Sequence, residues 1–288
     1  MSGIRTVIRA LGLFALLVQT GNADPGGRLP ATGGVVSVEG SGGGGLTSWA
    51  LITGYGTADE WGGAVSYTRL PLPDYQFEST AVTLGWFDRV ELSAAHQQFD
   101  LQNVVPGETI SQDMLAVKWR VAGDAVFAPD SWLPQLALTL QHKRNRDFDF
   151  IPAALGGQHD RDTEFHLAAS KLYFAAAFGH NLLVNVGVRH SRANQFGLLG
   201  FGGPDDDERK WLAEASAAVF LTDSLLLGAE YRQKPDLLVF AEDEARDLFL
   251  AWVPSRRLAL TVARVDLGRI AVTRGDQVGT YVQFQLNY

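Results

Sequence analysis

The feature that most constrains this chain is a period-two alternation of apolar and polar residues that recurs from one end of the sequence to the other. Leu182, Val184, Val186 and Val188 alternate with Leu183, Asn185, Gly187 and Arg189, and Leu225, Leu227, Ala229 and Tyr231 alternate with Leu226, Gly228, Glu230 and Arg232. The same holds for Leu115, Val117, Trp119 and Val121 against Ala116, Lys118 and Arg120, and for Leu136, Leu138 and Leu140 against Gln135, Ala137, Thr139 and Gln141. A strand turns successive side chains to opposite faces, so each segment has one apolar face and one that is mostly small or charged. Many segments run to about ten residues, enough for a tilted strand to cross a bilayer, whereas soluble strands usually stop at about five or six. Hydrophobic residues make up 46% of the chain, yet no apolar run of about eighteen residues exists to form a spanning helix. In lipid only helices and closed sheets satisfy every backbone group, so this pattern predicts an all-β chain: a single antiparallel transmembrane β-barrel.

The two ends fit that reading. Arg5 and Arg9, an apolar stretch from Ala10 to Val18, and the small residues Gly21 and Ala23 have the order of an export signal. The expected organisation is a signal peptide over 1–23, a periplasmic segment over 24–32 and the barrel over 33–288. The chain has no cysteine, so it carries neither a lipoprotein anchor nor disulfides. At the other end Val282, Phe284, Leu286 and Tyr288 share one face, opposite Tyr281, Gln283, Gln285 and Asn287. An amphipathic final strand ending in an aromatic residue is similar to the signal read by the bacterial barrel-assembly machinery, so these four residues are the expected assembly signal. That makes the assembly machinery and outer-membrane lipid the expected partners, and the outer membrane of a Gram-negative bacterium the expected location.

Short links around 87–88, 221–223 and 254–256 alternate with long polar or Gly-rich ones at 100–110, 145–162, 193–207, 235–244 and 268–278, as periplasmic turns alternate with external loops; a longer link at 122–132 and a short one at 71–74 break the pattern. Trp49, Trp61, Trp86, Trp119, Trp211 and Trp252 lie near segment ends, as an interfacial aromatic girdle requires. With Tyr288 placed in the periplasm, thirteen clear segments leave the start of 46–55 outside, and an additional strand over 33–39 restores even parity. The expected count is therefore about 14 strands: 33–39, 46–55, 60–70, 75–86, 89–99, 111–121, 133–144, 163–174, 181–192, 208–220, 224–234, 245–253, 257–267 and 279–288. The alternative is 12 strands with the Gly-rich start folded inside as an N-terminal plug.

Alternation points Glu91, Lys118, Arg120, Lys143, Arg189, Glu214, Glu230 and Arg232 into the lumen, where mixed charges must pair or meet water. Two arrangements satisfy them: a water-filled passage for small polar solutes, or a network of ion pairs closing the barrel. The loop 193–207 is unusually apolar for an external segment. Its Phe196, Leu198, Leu199 and Phe201 form either a constriction folded into the lumen or an external contact surface for a hydrophobic ligand or a partner.

Residues for chemistry are sparse. None of the six histidines is followed two residues later by serine, the spacing that puts both on one face of a strand. His190 and Ser191 point to opposite faces, and His166 and Ser170 are about 13 Å apart along a strand. Asp205, Asp206, Asp207 and Glu208 lack the spacing of a calcium loop and read as a solvated run. Gly42 to Gly45 lack the lysine of a phosphate-binding loop and read as a flexible turn. No cofactor and no metal are expected. Removing Arg5 and Arg9 from the 24 basic residues leaves 22 against 32 acidic ones, a net charge of about −10 that disfavours nucleic acid or anionic headgroups as general partners.

The stretch Arg192-Ala193-Asn194-Gln195-Phe196-Gly197-Leu198-Leu199-Gly200-Phe201-Gly202-Gly203, followed by Gly228-Ala229-Glu230-Tyr231-Arg232-Gln233-Lys234-Pro235-Asp236, resembles a domain-of-unknown-function family of proteobacterial outer-membrane proteins. Leu51-Ile52-Thr53-Gly54-Tyr55-Gly56 and Val121-Ala122-Gly123-Asp124 look like further parts of that pattern, and the similarity spans nearly the whole mature chain. One departure is the pair of leucines after Asp236, where the pattern has Asn. The resemblance implies an outer-membrane barrel and no assigned activity. The leading functional expectation is a passive porin-like channel for small solutes. A closed structural or binding barrel acting through its external loops is the alternative, an outer-membrane lipid hydrolase a distant third, and the chain is not expected to be an enzyme.

Overall fold

The computed structural model describes residues 30–128 and 130–288. The proposed signal peptide and residues 24–29 lie outside the described residues. Twelve antiparallel strands form one closed barrel. In chain order they are β1 (Trp61–Pro71), β2 (Gln76–Trp86), β3 (Val90–Asp100), β4 (Thr109–Ala122), β5 (Gln135–Asn145), β6 (Arg161–Ala177), β7 (His180–Ser191), β8 (Lys210–Thr222), β9 (Leu225–Arg232), β10 (Ala245–Ser255), β11 (Leu258–Asp266) and β12 (Val278–Asn287). Every strand pairs with its neighbour in sequence, and β12 closes onto β1 in a register running from Val282 opposite Arg69 to Asn287 opposite Ala64. The Tyr288 N–H and carbonyl extend this seam by bonding Gly63, and its ring packs on Trp61. Val282, Phe284 and Leu286 point outward.

The alternation reads directly as burial. Along β5, Gln135, Ala137, Thr139, Gln141, Lys143 and Asn145 are buried, while Leu138 and Leu140 are more than 40% exposed. Leu115, Val117, Phe165, Leu167, Leu248, Leu250, Val262 and Phe284 continue this outward apolar surface around the barrel. A belt of that extent is untenable in water and matches the hydrocarbon of a bilayer. One rim carries the barrel's two chain ends, the tight links at 87–89, 178–179, 223–224 and 256–257, and the longer link 123–134. The other carries 72–75, 101–108, 146–160, 192–209, 233–244 and 267–277. We call them the short-turn and long-loop rims. At the 87–89 link both Phe87 and Asp88 have positive φ, which tight hairpin turns require to match strand twist.

The expected strands at 33–39 and 46–55 are not part of the wall, so the count is twelve, the alternative in which the Gly-rich start forms a plug. Val35–Val36 and Gly42–Gly43 pair as a two-residue ladder inside the barrel, and Gly43 bridges Ser48. Residues 31–54 are buried almost throughout, including Ala31 and Thr32 from the segment expected in the periplasm. The amide of Gly54 donates to the carbonyl of Gly33, so this hairpin enters and leaves by the short-turn rim. Trp49 belongs to it and is buried, not a member of the girdle; Trp119, Trp132 and Trp252 project outward near that rim and Trp211 near the other.

Candidate functional site

A mostly irregular chain threaded through a barrel satisfies only part of its backbone internally, so its remaining amides and carbonyls need partners from the wall. Glu91 on β3 accepts four hydrogen bonds from the hairpin, two of them from backbone amides. Its carboxylate accepts the Gly42 amide at 2.9 Å, the Thr53 amide at 2.8 Å and the hydroxyls of Thr53 and Ser41. Lys118, opposite it on β4, lies 3.3 Å from that carboxylate and donates to the carbonyls of Gly42 and Leu51 at 2.6 and 3.0 Å. Across the lumen Glu230 on β9 accepts the Leu46 amide at 2.7 Å and the Thr47 hydroxyl, while Arg232 donates to the Leu46 carbonyl at 2.9 Å. Glutamines complete the lining: Gln97 donates to the carbonyl of Val38, Gln135 to Ala50, Gln141 to Glu39, Gln283 to Val36 and Gln285 to Gly34.

The glycine run at the hairpin tip follows from these contacts. A Cβ on Gly44 would sit 1.9 Å from Glu230 Oε1, and one on Gly42 2.8 Å from Glu91 Oε2. These glycines are the places where wall carboxylates touch backbone, not a slack turn. Gly44→Val is therefore expected to lift the tip off Glu230 at an overpacking cost of about 1–3 kcal/mol, raising the population of released hairpin roughly 5–150-fold. Limited proteolysis of the folded barrel reads this: cleavage within 30–58 should accelerate by that factor while heat-modifiable migration persists.

The second filling enters from the long-loop rim. Phe196, Leu198, Leu199 and Phe201 are all buried, so the expected external contact surface does not exist; of the two arrangements open to this loop, the constriction is the one observed. A short 3-10 turn, Asn194–Gly197, carries positive φ at both Gln195 and Phe196, a backbone that costs non-glycine residues about 1–2 kcal/mol each. The wall holds it there. Lys143 and Gln112 donate to the Phe196 carbonyl at 3.1 and 3.3 Å, Asn145 donates to Leu198 at 2.8 Å, and the Arg232 guanidinium lies 4.2 Å over the Phe196 ring. From the neighbouring loop Lys234 donates to Gln195 at 2.8 Å. Glu242, on the same loop and buried, has its carboxyl pushed up to about 7 by burial, against the pull of Lys234.

Hairpin and loop meet at an ionic core. Lys143 contacts Glu39 of the hairpin and Glu164 on β6, at 3.0 Å for the latter. Arg189 contacts Glu164, Glu214 and Glu39 at 2.9, 2.6 and 3.5 Å, and Arg232 contacts Glu39 and Glu214 at 2.9 and 3.4 Å. Three carboxylates thus face three cations, with His166 3.2 Å from Glu214. Each charge has more than one partner, which is what makes burial of six ionised groups tolerable. Sequence reasoning did not single out Glu39 or Glu164. Glu164 was visible, since it alternates with outward Phe165 on β6; Glu39 was not, because its role depends on which segment fills the lumen.

Of the eight residues expected to face the lumen, Glu91, Lys118, Glu230 and Arg232 bond the hairpin backbone, Lys143, Arg189, Glu214 and again Arg232 lie in the ionic core, and Arg120 sits at the short-turn rim against Asp88 and Asp124. Among the described residues no histidine bonds a serine hydroxyl, and no group of three or more His, Asp or Glu is arranged to hold a metal. In the acidic run, Asp206 pairs with Lys210 and Asp207 with Arg192 and His159.

Among solved structures, the KdgM porin in complex with disordered oligogalacturonate aligns at 9% identity and a TM-score of 0.48, covering 78% of this chain and 99% of that one. The COG4313 outer membrane channel from Pseudomonas putida F1 aligns at 10% and 0.42, covering 79% and 95%, and outer membrane phospholipase A from Escherichia coli at 13% and 0.40, covering 82% and 98%. Similarity at this level speaks to neither cargo nor chemistry. No curated protein matches the sequence. The model of the family described as Protein of unknown function (DUF3034) matches residues 32–285, and the chain belongs to that family, whose resemblance was legible in the 192–203 and 228–236 motifs.

Proposed function

We propose that this protein is a porin-like barrel of the Gram-negative outer membrane that rests closed and passes small polar solutes only when its N-terminal hairpin leaves the lumen. The observation that carries this reading is where the lumen charges spend their contacts. Glu91, Lys118 and Glu230 bond mainly the hairpin's amides, carbonyls and hydroxyls. Water or a polar solute can replace such partners one for one, whereas an apolar plug would leave them unsatisfied. The long-loop rim faces outward from the cell, lipid surrounds the apolar belt, the assembly machinery reads the strand ending at Tyr288, and the chain has no catalytic role. The ionic core favours a second reading, a permanently closed structural barrel.

A reversible lock separates the two. Thr47 Oγ1 of the hairpin lies 2.6 Å from Ser216 Oγ of β8, and the chain has no cysteine to compete. In planar bilayers the T47C/S216C variant should open transiently when reduced and stay silent when oxidised. Openings that continue unchanged with the disulfide formed would sink the gating idea, and silence in both states, with inserted protein, would favour the permanently closed barrel.

A further inference from the structure

The outward face carries a charge arrangement that the lumen reading does not use. Arg144 on β5 and Arg161 on β6 are directly opposite each other in the ladder, and both side chains are about half exposed, at 49% and 60%. Like charges in that position destabilise a sheet. Between them lies Asp160, 3.8 Å from Arg144 Nε and 3.4 Å from Arg161 Nε, too far for hydrogen bonds; Asp113, opposite Arg144 on β4, is engaged by Arg146 and His96. Other rim arginines have nearer acids: Arg246 bonds Asp266 at 2.8 Å and Arg146 bonds Asp113. The exposed His142, one step below Arg144 on the same face, has its Nδ1 3.0 Å from the hydroxyl of Thr163, which is its cross-strand neighbour.

Depth identifies what neutralises the pair. Below the His142–Thr163 row on the same two strands come Leu140 beside Phe165 and Leu138 beside Leu167, all exposed members of the apolar belt. The two arginines therefore lie where headgroups of the leaflet at the long-loop rim meet the acyl region. With Asp113 taken up by Arg146 and Asp160 shared by the two guanidiniums without a hydrogen bond, the cluster keeps a net positive charge and several unused donors, a match for a phosphate oxygen set.

We propose that Arg144 and Arg161 clamp the phosphate of a lipid headgroup in that leaflet, with His142 beside it and the acyl chains lying along Leu138, Leu140, Phe165 and Leu167. The site stands whether or not the lumen opens. The chain's net negative charge does not oppose it, because screening limits distant charges to within about 8–10 Å.

Native mass spectrometry of the full-length protein, with bisphosphorylated lipid A as probe, tests this. R144Q/R161Q should retain the lipid about tenfold less than the unmodified chain, R161Q alone an intermediate amount, and R246Q, whose arginine is already paired, as much as the unmodified chain. Lipid A stripped of both phosphates should be retained no better than by the double variant, and inorganic phosphate should fail to displace the intact lipid. Equal retention by the double variant, or an equal loss in R246Q, overturns the site. Full displacement by inorganic phosphate overturns the lipid as its occupant. Heat-modifiable migration shows that each variant is folded, and R161Q provides the comparison if the double variant does not fold.

Discussion

Deleting residues 30–58 is expected to leave a barrel that still assembles and conducts continuously, the largest change any single alteration of this chain should produce. Assembly survives because the wall is closed by β12 against β1 and by eleven further pairings of consecutive strands, none of which uses the N-terminal hairpin. Conduction rises because the segment supplies most of the filling near the short-turn rim and one carboxylate of the ionic core. A closed state favoured by a few kcal/mol leaves about 0.1–10% of molecules open, so time-averaged current in planar bilayers should increase roughly tenfold to a thousandfold. The loop 193–201 stays behind, anchored by Gln112, Lys143 and Asn145, and sets a residual constriction. A deletion variant that migrates as a folded barrel yet carries no more current than the full chain would refute gating by the hairpin.

The second large effect is on stability. Lys143, like Arg232, touches both fillings, through Glu39 on one side and the Phe196 carbonyl on the other, while also contacting Glu164. Lys143→Ala leaves three buried carboxylates facing two arginines, and removal of one partner from a buried ion pair costs about 3–5 kcal/mol. Urea unfolding from detergent micelles should show that loss. Lys143→Met, which keeps the stem volume, should lose nearly as much if charge is responsible. The double change E39Q/K143M should recover part of it, since removing both members of a pair leaves neither uncompensated. A K143M variant within about 0.5 kcal/mol of the unmodified chain, the range of a neutral surface change, would mean that the core holds no particular register between the two fillings.

How much of this was legible beforehand divides along physical lines. All twelve wall strands follow from alternation, because burial on one face and lipid on the other impose period two on each segment independently of its partners. Parity could not separate fourteen strands from twelve, since moving two segments from wall to lumen preserves an even count. Residues 33–39 and 46–55 alternate or run apolar for a different reason: Val35, Val38, Leu46, Trp49 and Leu51 pack in the lumen core together with Phe196 and Leu198 of the inward loop. The glycines at 42–45 carried no local sign of their purpose, because the atoms that forbid a Cβ belong to residues apart in sequence: Thr53 across the hairpin and Glu91 on β3 at Gly42, and Glu230 on β9 at Gly44.

By itself, then, the sequence determined the barrel, the inward placement of its charges and the outward belt, all consequences of strand geometry acting over neighbouring residues. Only the tertiary structure decided what those inward charges bind. Whether Lys143 meets water, Glu39 or the Phe196 carbonyl is settled by which distant segments enter the lumen, and that choice depends on satisfying backbone groups across the whole barrel at once. No local pattern encodes it.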